Sequence, residues 1–182
     1  LLQSAESLKE RANALLNAGY TANAMRKYVR ATWLMQDGRE REDPGAPMTD
    51  VVGIGKGDEP RKCRFEPGQA DRVKALRVSL HLNLAAGGLK IEENYGALAA
   101  ARVARELEPV AVKPLYREAA ALVALQDFTT ARELCVRILK LEPKNLAARK
   151  LHEVCKKQNE ASKAAERRTF TGLFSRAQRE GP

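Results

Sequence analysis

A chain of 182 residues with 44% hydrophobic side chains can bury a real core, which excludes a wholly disordered protein. Aromatics are only 5% while Ala and Leu dominate, which favours close-packed helices over a β-sandwich. The net charge of +9 points to acidic partners, against the plain alternative of solvated helix faces.

The first helix pair is expected over 1–35. Leu8, Ala12 and Leu15 share one face of its first helix, and Ala24, Tyr28 and Ala31 share one face of its second. Gly19-Tyr20 makes the turn between them. The stretch 36–72 holds six of the twelve glycines and four of the eight prolines, with seven Lys/Arg against nine Asp/Glu. It reads as a long inserted loop, with a partner-binding or regulatory loop as the functional alternative. A second pair follows over 73–111, carried by Leu84, Ala85, Ala97, Ala101, Ala104 and Leu107. Its Gly87-Gly88 leaves a packing gap, which either a neighbour fills or a helix bend absorbs. The third pair, 112–145, has Leu115, Ala119 and Leu122 on one helix and Phe128, Ala131, Cys135, Ile138 and Leu141 on the other. A basic helix is expected over 146–177, packing Leu146, Ala147, Leu151, Val154 and Cys155 on the last pair, with 178–182 as tail. From Lys144 onward there are ten Lys/Arg and four Asp/Glu, so most of the net charge belongs to this end.

Three cysteines (Cys63, Cys135 and Cys155) lack CxxC spacing and cannot all pair internally. A reduced, intracellular setting is expected, and the cytoplasm is the compartment inferred. Two distant histidines argue against a zinc site, and no cofactor is implied. No run of 18 apolar residues suggests a membrane span. Gly53-Ile54-Gly55-Lys56-Gly57 lacks the Lys-Ser/Thr ending of a phosphate loop. No nucleophile–base pair appears either, so this chain is not expected to be an enzyme. It begins at Leu1 without Met, which suggests part of a longer protein.

Leu107-Glu108-Pro109 recurs as Leu141-Glu142-Pro143, 34 residues on, and Ala97 recurs as Ala131. That period marks the tetratricopeptide repeat, a helix–turn–helix unit. Ala24 and Ala97 are 73 apart, so 39 residues have been added between repeats one and two. The expected fold is all-α: three tetratricopeptide repeats in a right-handed superhelix, closed by a long C-terminal capping helix. In such arrays the first helix of every unit lines the concave face. Lys9 and Asn13 are four apart on one such helix, Lys113 and Arg117 four apart on another, and Asn83 lies on the helix between. Pairs at i,i+4 project from one side of a helix, so the five would converge on one groove. All five can donate hydrogen bonds, which suits a ligand rich in carboxylates. Lysine and arginine on helices are mostly solvated, and any one of these alone is unremarkable. Two asparagines in helix interiors otherwise rich in Ala and Leu favour a purpose.

Leu8-Lys9-Glu10-Arg11-Ala12-Asn13, Leu80-His81-Leu82-Asn83-Leu84-Ala85-Ala86 and Val112-Lys113-Pro114-Leu115-Tyr116-Arg117 resemble a known family. It comprises the tetratricopeptide domains of co-chaperones that hold the acidic C-terminus of the 90-kDa heat-shock protein. The resemblance implies that Lys9, Asn13, Asn83, Lys113 and Arg117 form a dicarboxylate clamp. Lys9, Asn13 and Asn83 would take the peptide's terminal carboxylate, Lys113 the last Asp side chain, and Arg117 the peptide backbone or a neighbouring acid. The 70-kDa chaperone is the other candidate partner. Arg168-Thr169-Phe170-Thr171-Gly172-Leu173-Phe174 is similar to the closing segment of FKBP-type immunophilins. This implies a peptidyl-prolyl isomerase domain upstream, with the present chain as the non-catalytic half. Ala12 stands where the family has Gly, a large residue is usual at Gly88, and Tyr95 falls one position after the usual aromatic.

The basic final helix also resembles a calmodulin-binding segment, with Arg167, Arg168, Phe170, Leu173 and Phe174 as a basic amphipathic anchor. A solvated extension with an aromatic hook is the commoner arrangement. Nucleic-acid binding through the same helix is the remaining alternative, without any stacking motif to support it.

Overall fold

A computed structural model describes residues 1–35 and 67–179, with side chains described up to Arg168 except those of Pro67 and Glu166. Most of the 36–72 insertion, including Cys63, lies outside the described residues. The described part is helical throughout: α1 (Leu2–Asn17), α2 (Thr21–Leu34), α3 (Ala70–Lys90), α4 (Asn94–Leu107), α5 (Val112–Ala124), α6 (Phe128–Leu141) and α7 (Leu146–Arg179). A short 3-10 turn, Pro67–Gln69, leads into α3, which starts at Ala70, within the stretch read as loop from the sequence.

Local chemistry sets several boundaries. The Asp127 carboxylate accepts from Thr130 N at 3.1 Å and caps α6. Asn145 Oδ1 accepts from Ala148 N at 3.0 Å and does the same for α7. Pro114 sits in the first turn of α5, where its missing N–H leaves no helical bond unmade. Each turn within a repeat passes through one left-handed residue: Gly19 (φ 87°), Glu92 (φ 61°) and Gln126 (φ 64°). These three follow the same 73- and 34-residue offsets as the sequence repeat. Only the first is glycine, so the turn is visible in the sequence of one repeat out of three.

Each helix packs on the next, and α1, α3, α5 and α7 also touch in series. The odd helices therefore form one layer and α2, α4 and α6 the other. Equivalent small residues sit at the crossings. Ala12, Ala85 and Ala119 are fully buried, and so are Ala24 and Ala131, with Ala97 at 1% exposure. Small side chains let helix backbones approach closely, and that spacing repeats along the array.

Repeat two departs from the others at two equivalent positions. Gly88 stands where Leu15 and Leu122 stand in the other repeats. A Cβ there would lie 3.1 Å from Ala97 Cβ, so α3 and α4 approach across the glycine. At Gly87 a Cβ would land on Met25 Sδ, so the α2 side chain occupies that space. Neighbours thus fill the gap left by Gly87-Gly88, and α3 continues as one helix to Lys90.

His81 stands at the position of Leu8 and Leu115. Its Nδ1 is buried with no hydrogen-bond partner among the described residues. Burial, followed by the charge of Arg77, holds the imidazole down at about 4, well below its ordinary value of 6.5. The folded protein therefore binds fewer protons than the unfolded chain between those values. The His81 contribution is intact above pH 6.5 and is lost as pH falls toward 4, a total of up to about 3 kcal/mol. Comparing wild type with His81→Leu by thermal melts at pH 7 and pH 4.5 should show a smaller acid-induced loss in the variant.

Four expected core positions are corrected. Leu141 is 43% exposed rather than part of the α6 stripe. On α7, Leu146, Ala147 and Val154 are exposed rather than packed, while Ala148 and Cys155 are fully buried. The helix turns its small residues onto α6, where close approach is possible, and leaves its larger ones to the side. The Cys135 and Cys155 thiols meet at this α6–α7 contact. Burial, then the neighbouring Cys155, pushes Cys135 up to about 12, so it packs as an inert apolar group.

Candidate peptide-binding groove

The odd layer carries all five polar residues singled out from the sequence. Lys9 and Asn13 lie on α1, Asn83 on α3, Lys113 and Arg117 on α5. Asn13 and Asn83 meet directly: Asn83 Nδ2 donates to Asn13 Oδ1 at 3.2 Å. The Tyr28 hydroxyl, from the fully buried α2 side chain below, donates to the same oxygen at 2.6 Å. Burial raises the phenol pKa, and the neighbouring Asn83 amide works against that rise. With its carbonyl oxygen accepting both bonds, Asn13 keeps its NH2 uncommitted among the described residues. Hydrogen bonding thus leaves Asn13 with donor capacity to spare.

Asn83, Lys113 and Arg117 share one cavity of about 510 Å³ with Ser79, Tyr116 and Ala147 among its other walls. Asn83 and Arg117 occupy the same repeat position, as do Ser79 and Lys113. Lys9 does not line this cavity. It is half-buried one turn before Asn13, at the repeat position held by Leu82 and Tyr116, both of which do line it. The structure thus brings four of the five together in two linked groups, Asn13 with Asn83 and Asn83 with the α5 cations. Among the described residues none of Lys9, Lys113 and Arg117 forms an ion pair. Three unpaired cations and two amides make a surface that favours carboxylate groups.

Arg117 is followed by a carboxylate of opposite fate. Glu118 is buried in the α4–α5 seam, where Arg105 Nε reaches it at 2.5 Å and Arg102 Nε at 3.4 Å. It is kept away from the groove and does not neutralise Arg117. The exposed Arg72–Glu6 pair, at 2.8 Å, joins α3 to α1 and contributes little in solvent.

Sequence reasoning missed the Tyr28 link and the α7 share of the cavity wall. Tyr116 had a visible signal, since it falls at the repeat position of Lys9. Arg167 and Arg168 are exposed on α7, whose helix continues past Phe170, Leu173 and Phe174. The side chains of those three lie outside the described residues. No group of His, Cys, Asp and Glu able to hold a metal occurs among the described residues. No helix there is long and apolar enough to cross a membrane.

The fold has clear structural neighbours. The C-terminal tetratricopeptide domain of a Plasmodium falciparum putative FK506-binding protein superposes with a TM-score of 0.67 at 24% identity, covering 89% of this chain and 93% of that one. The first such domain of Spaghetti (RPAP3), bound to the HSP90 peptide SRMEEVD, gives 0.59 at 20% identity, covering 86% and 94%. The chain has the tetratricopeptide-repeat fold. No family model matches it. Peptidyl-prolyl cis-trans isomerase FKBP4 of Mus musculus is 33% identical over 112 residues, which is 62% of this chain and 24% of that protein. The chain is thus similar to one part of FKBP4, and the match spans about a quarter of that protein's length.

Proposed function

We propose that this chain is a non-catalytic co-chaperone module that binds the acidic C-terminal peptide of the 90-kDa heat-shock protein. Lys9, Asn13 and Asn83 take the peptide's terminal carboxylate, Lys113 the side chain of its last Asp, and Arg117 the backbone or a neighbouring acid. The observation that carries this reading is the cavity joining Asn83 to Lys113 and Arg117, with Asn13 hydrogen-bonded to Asn83. A structural neighbour bound to an HSP90 peptide agrees with it. The relatedness to FKBP4 supports a longer, cytoplasmic protein with an isomerase domain elsewhere.

Calorimetry with a Met-Glu-Glu-Val-Asp peptide tests the reading. Binding should be micromolar, about −8 kcal/mol, and should weaken as salt rises. Charge-assisted hydrogen bonds contribute about 1.5–3 kcal/mol each, so Lys113→Glu or Arg117→Ala should weaken binding more than tenfold. Amidating the peptide's C-terminus should weaken it similarly. Unchanged affinity in these variants would sink the proposal.

A further inference from the structure

Tyr28 differs from its counterparts in the other repeats, and so does the residue it meets. The repeat offsets of 73 and 34 put Ala101 and Cys135 at the position of Tyr28, and Ala86 and Ala120 at that of Asn13. Tyr28, Ala101 and Cys135 are all fully buried, so small residues suffice there to pack α4 and α6. Repeat one alone sets a phenol against an amide, and the two meet at 2.6 Å.

Volume alone does not call for the hydroxyl, since phenylalanine fills nearly the same space. A buried hydroxyl proton needs an acceptor. Among the described residues, the side chains that the Tyr28 hydroxyl meets are the amides of Asn13 and Asn83. An amide has one accepting end and one donating end. Asn13 Oδ1 accepts from both Tyr28 and Asn83, so the NH2 is the end left for a ligand.

We propose that Tyr28 is a positioning residue of the groove: by donating to Asn13 Oδ1 it commits the Asn13 NH2 to the terminal carboxylate of the bound peptide. The proposal rests on the reading in which Asn13 takes that carboxylate. Tyr28 acts through Asn13 rather than on the ligand, since its own side chain is fully buried. Without the hydroxyl, the Asn13–Asn83 pair can exchange which amide donates and which accepts. Asn13 then offers its oxygen, which repels a carboxylate.

The test uses Tyr28→Phe, with the Met-Glu-Glu-Val-Asp peptide as the free acid and as its C-terminal amide. Circular dichroism and a thermal melt check that the variant is folded. Tyr28→Phe should bind the free acid about fivefold more weakly than wild type does, and the amide to within about twofold. A merely structural role would move both peptides alike. In an Asn13→Ala background, Tyr28→Phe should have no further effect on binding. Unchanged binding of the free acid, equal weakening of both peptides, or an added loss in the Asn13→Ala background would overturn the positioning role alone. Nuclear magnetic resonance of the wild-type protein gives a second measurement that does not depend on the variant folding. The Asn13 side-chain NH2 signals should shift with the free acid and stay in place with the amide. Binding of the free acid without that shift would also overturn the role. Failure of wild type to bind the free acid would overturn the carboxylate groove and the positioning role with it.

Discussion

Replacing Gly88 with leucine lowers stability by about 2–3 kcal/mol, although leucine is what the equivalent positions Leu15 and Leu122 carry. Removing a glycine from the last turn of α3 returns up to about 1 kcal/mol of helix propensity, so the substitution looks favourable from sequence. Packing opposes it. The first added carbon would lie 3.1 Å from Ala97 Cβ and 3.3 Å from Ala97 N and Glu93 O. Two of those three atoms are backbone and cannot rotate away, so α3 and α4 must separate to admit the side chain. At about 2–4 °C per kcal/mol for a chain of this size, a thermal melt should show a midpoint roughly 5–10 °C lower. A raised midpoint would mean the close α3–α4 approach is wrong. Gly87→Ala gives the contrasting case, because it meets the flexible Met25 side chain, which can move aside.

Arg105→Met costs about 2–3 kcal/mol, measured by urea denaturation. Glu118 is only 5% exposed in the α4–α5 seam, and Arg105 is its nearer partner. Removing one partner of a buried pair leaves a charge without water or counter-ion, which typically costs about 3–5 kcal/mol. The smaller figure here reflects Arg102, which remains at 3.4 Å but is 51% exposed. Adding Glu118→Leu to Arg105→Met should recover most of the loss, since no charge is then stranded. A double variant as unstable as the single one would count against this account.

Most of the array could be read from the chain because the repeat constrains itself. Identical small residues at offsets of 34 and 73 name the helix crossings, and Ala12, Ala85 and Ala119 are buried where that rule puts them. The limits lie where no repeat supplies a neighbour. Leu146 and Val154 have helical spacing and apolar side chains, a pattern that predicts packing. Which face of a terminal helix turns inward depends on fit against α6, and Ala148 and Cys155 fit closer than larger residues do. His81 hides for the opposite reason. Its type suggests a solvated or functional residue, yet it occupies a leucine position. Within the groove, residue type and spacing were enough to nominate the five donors. The Asn13–Asn83 bond spans a sequence separation of 70, and no local pattern encodes such a contact.

That bond lies at a joint in the molecule. Consecutive helices from α3 to α7 follow one another through turns of a few residues, but α2 ends at Leu34 and α3 begins only at Ala70. Among the described residues, the first repeat meets the second through the docking of α1 and α2 on α3. The proposed groove would run across this seam, with Lys9 and Asn13 on one side and Asn83, Lys113 and Arg117 on the other. A ligand gripped from both sides would act as a removable fastener between the two parts of the array.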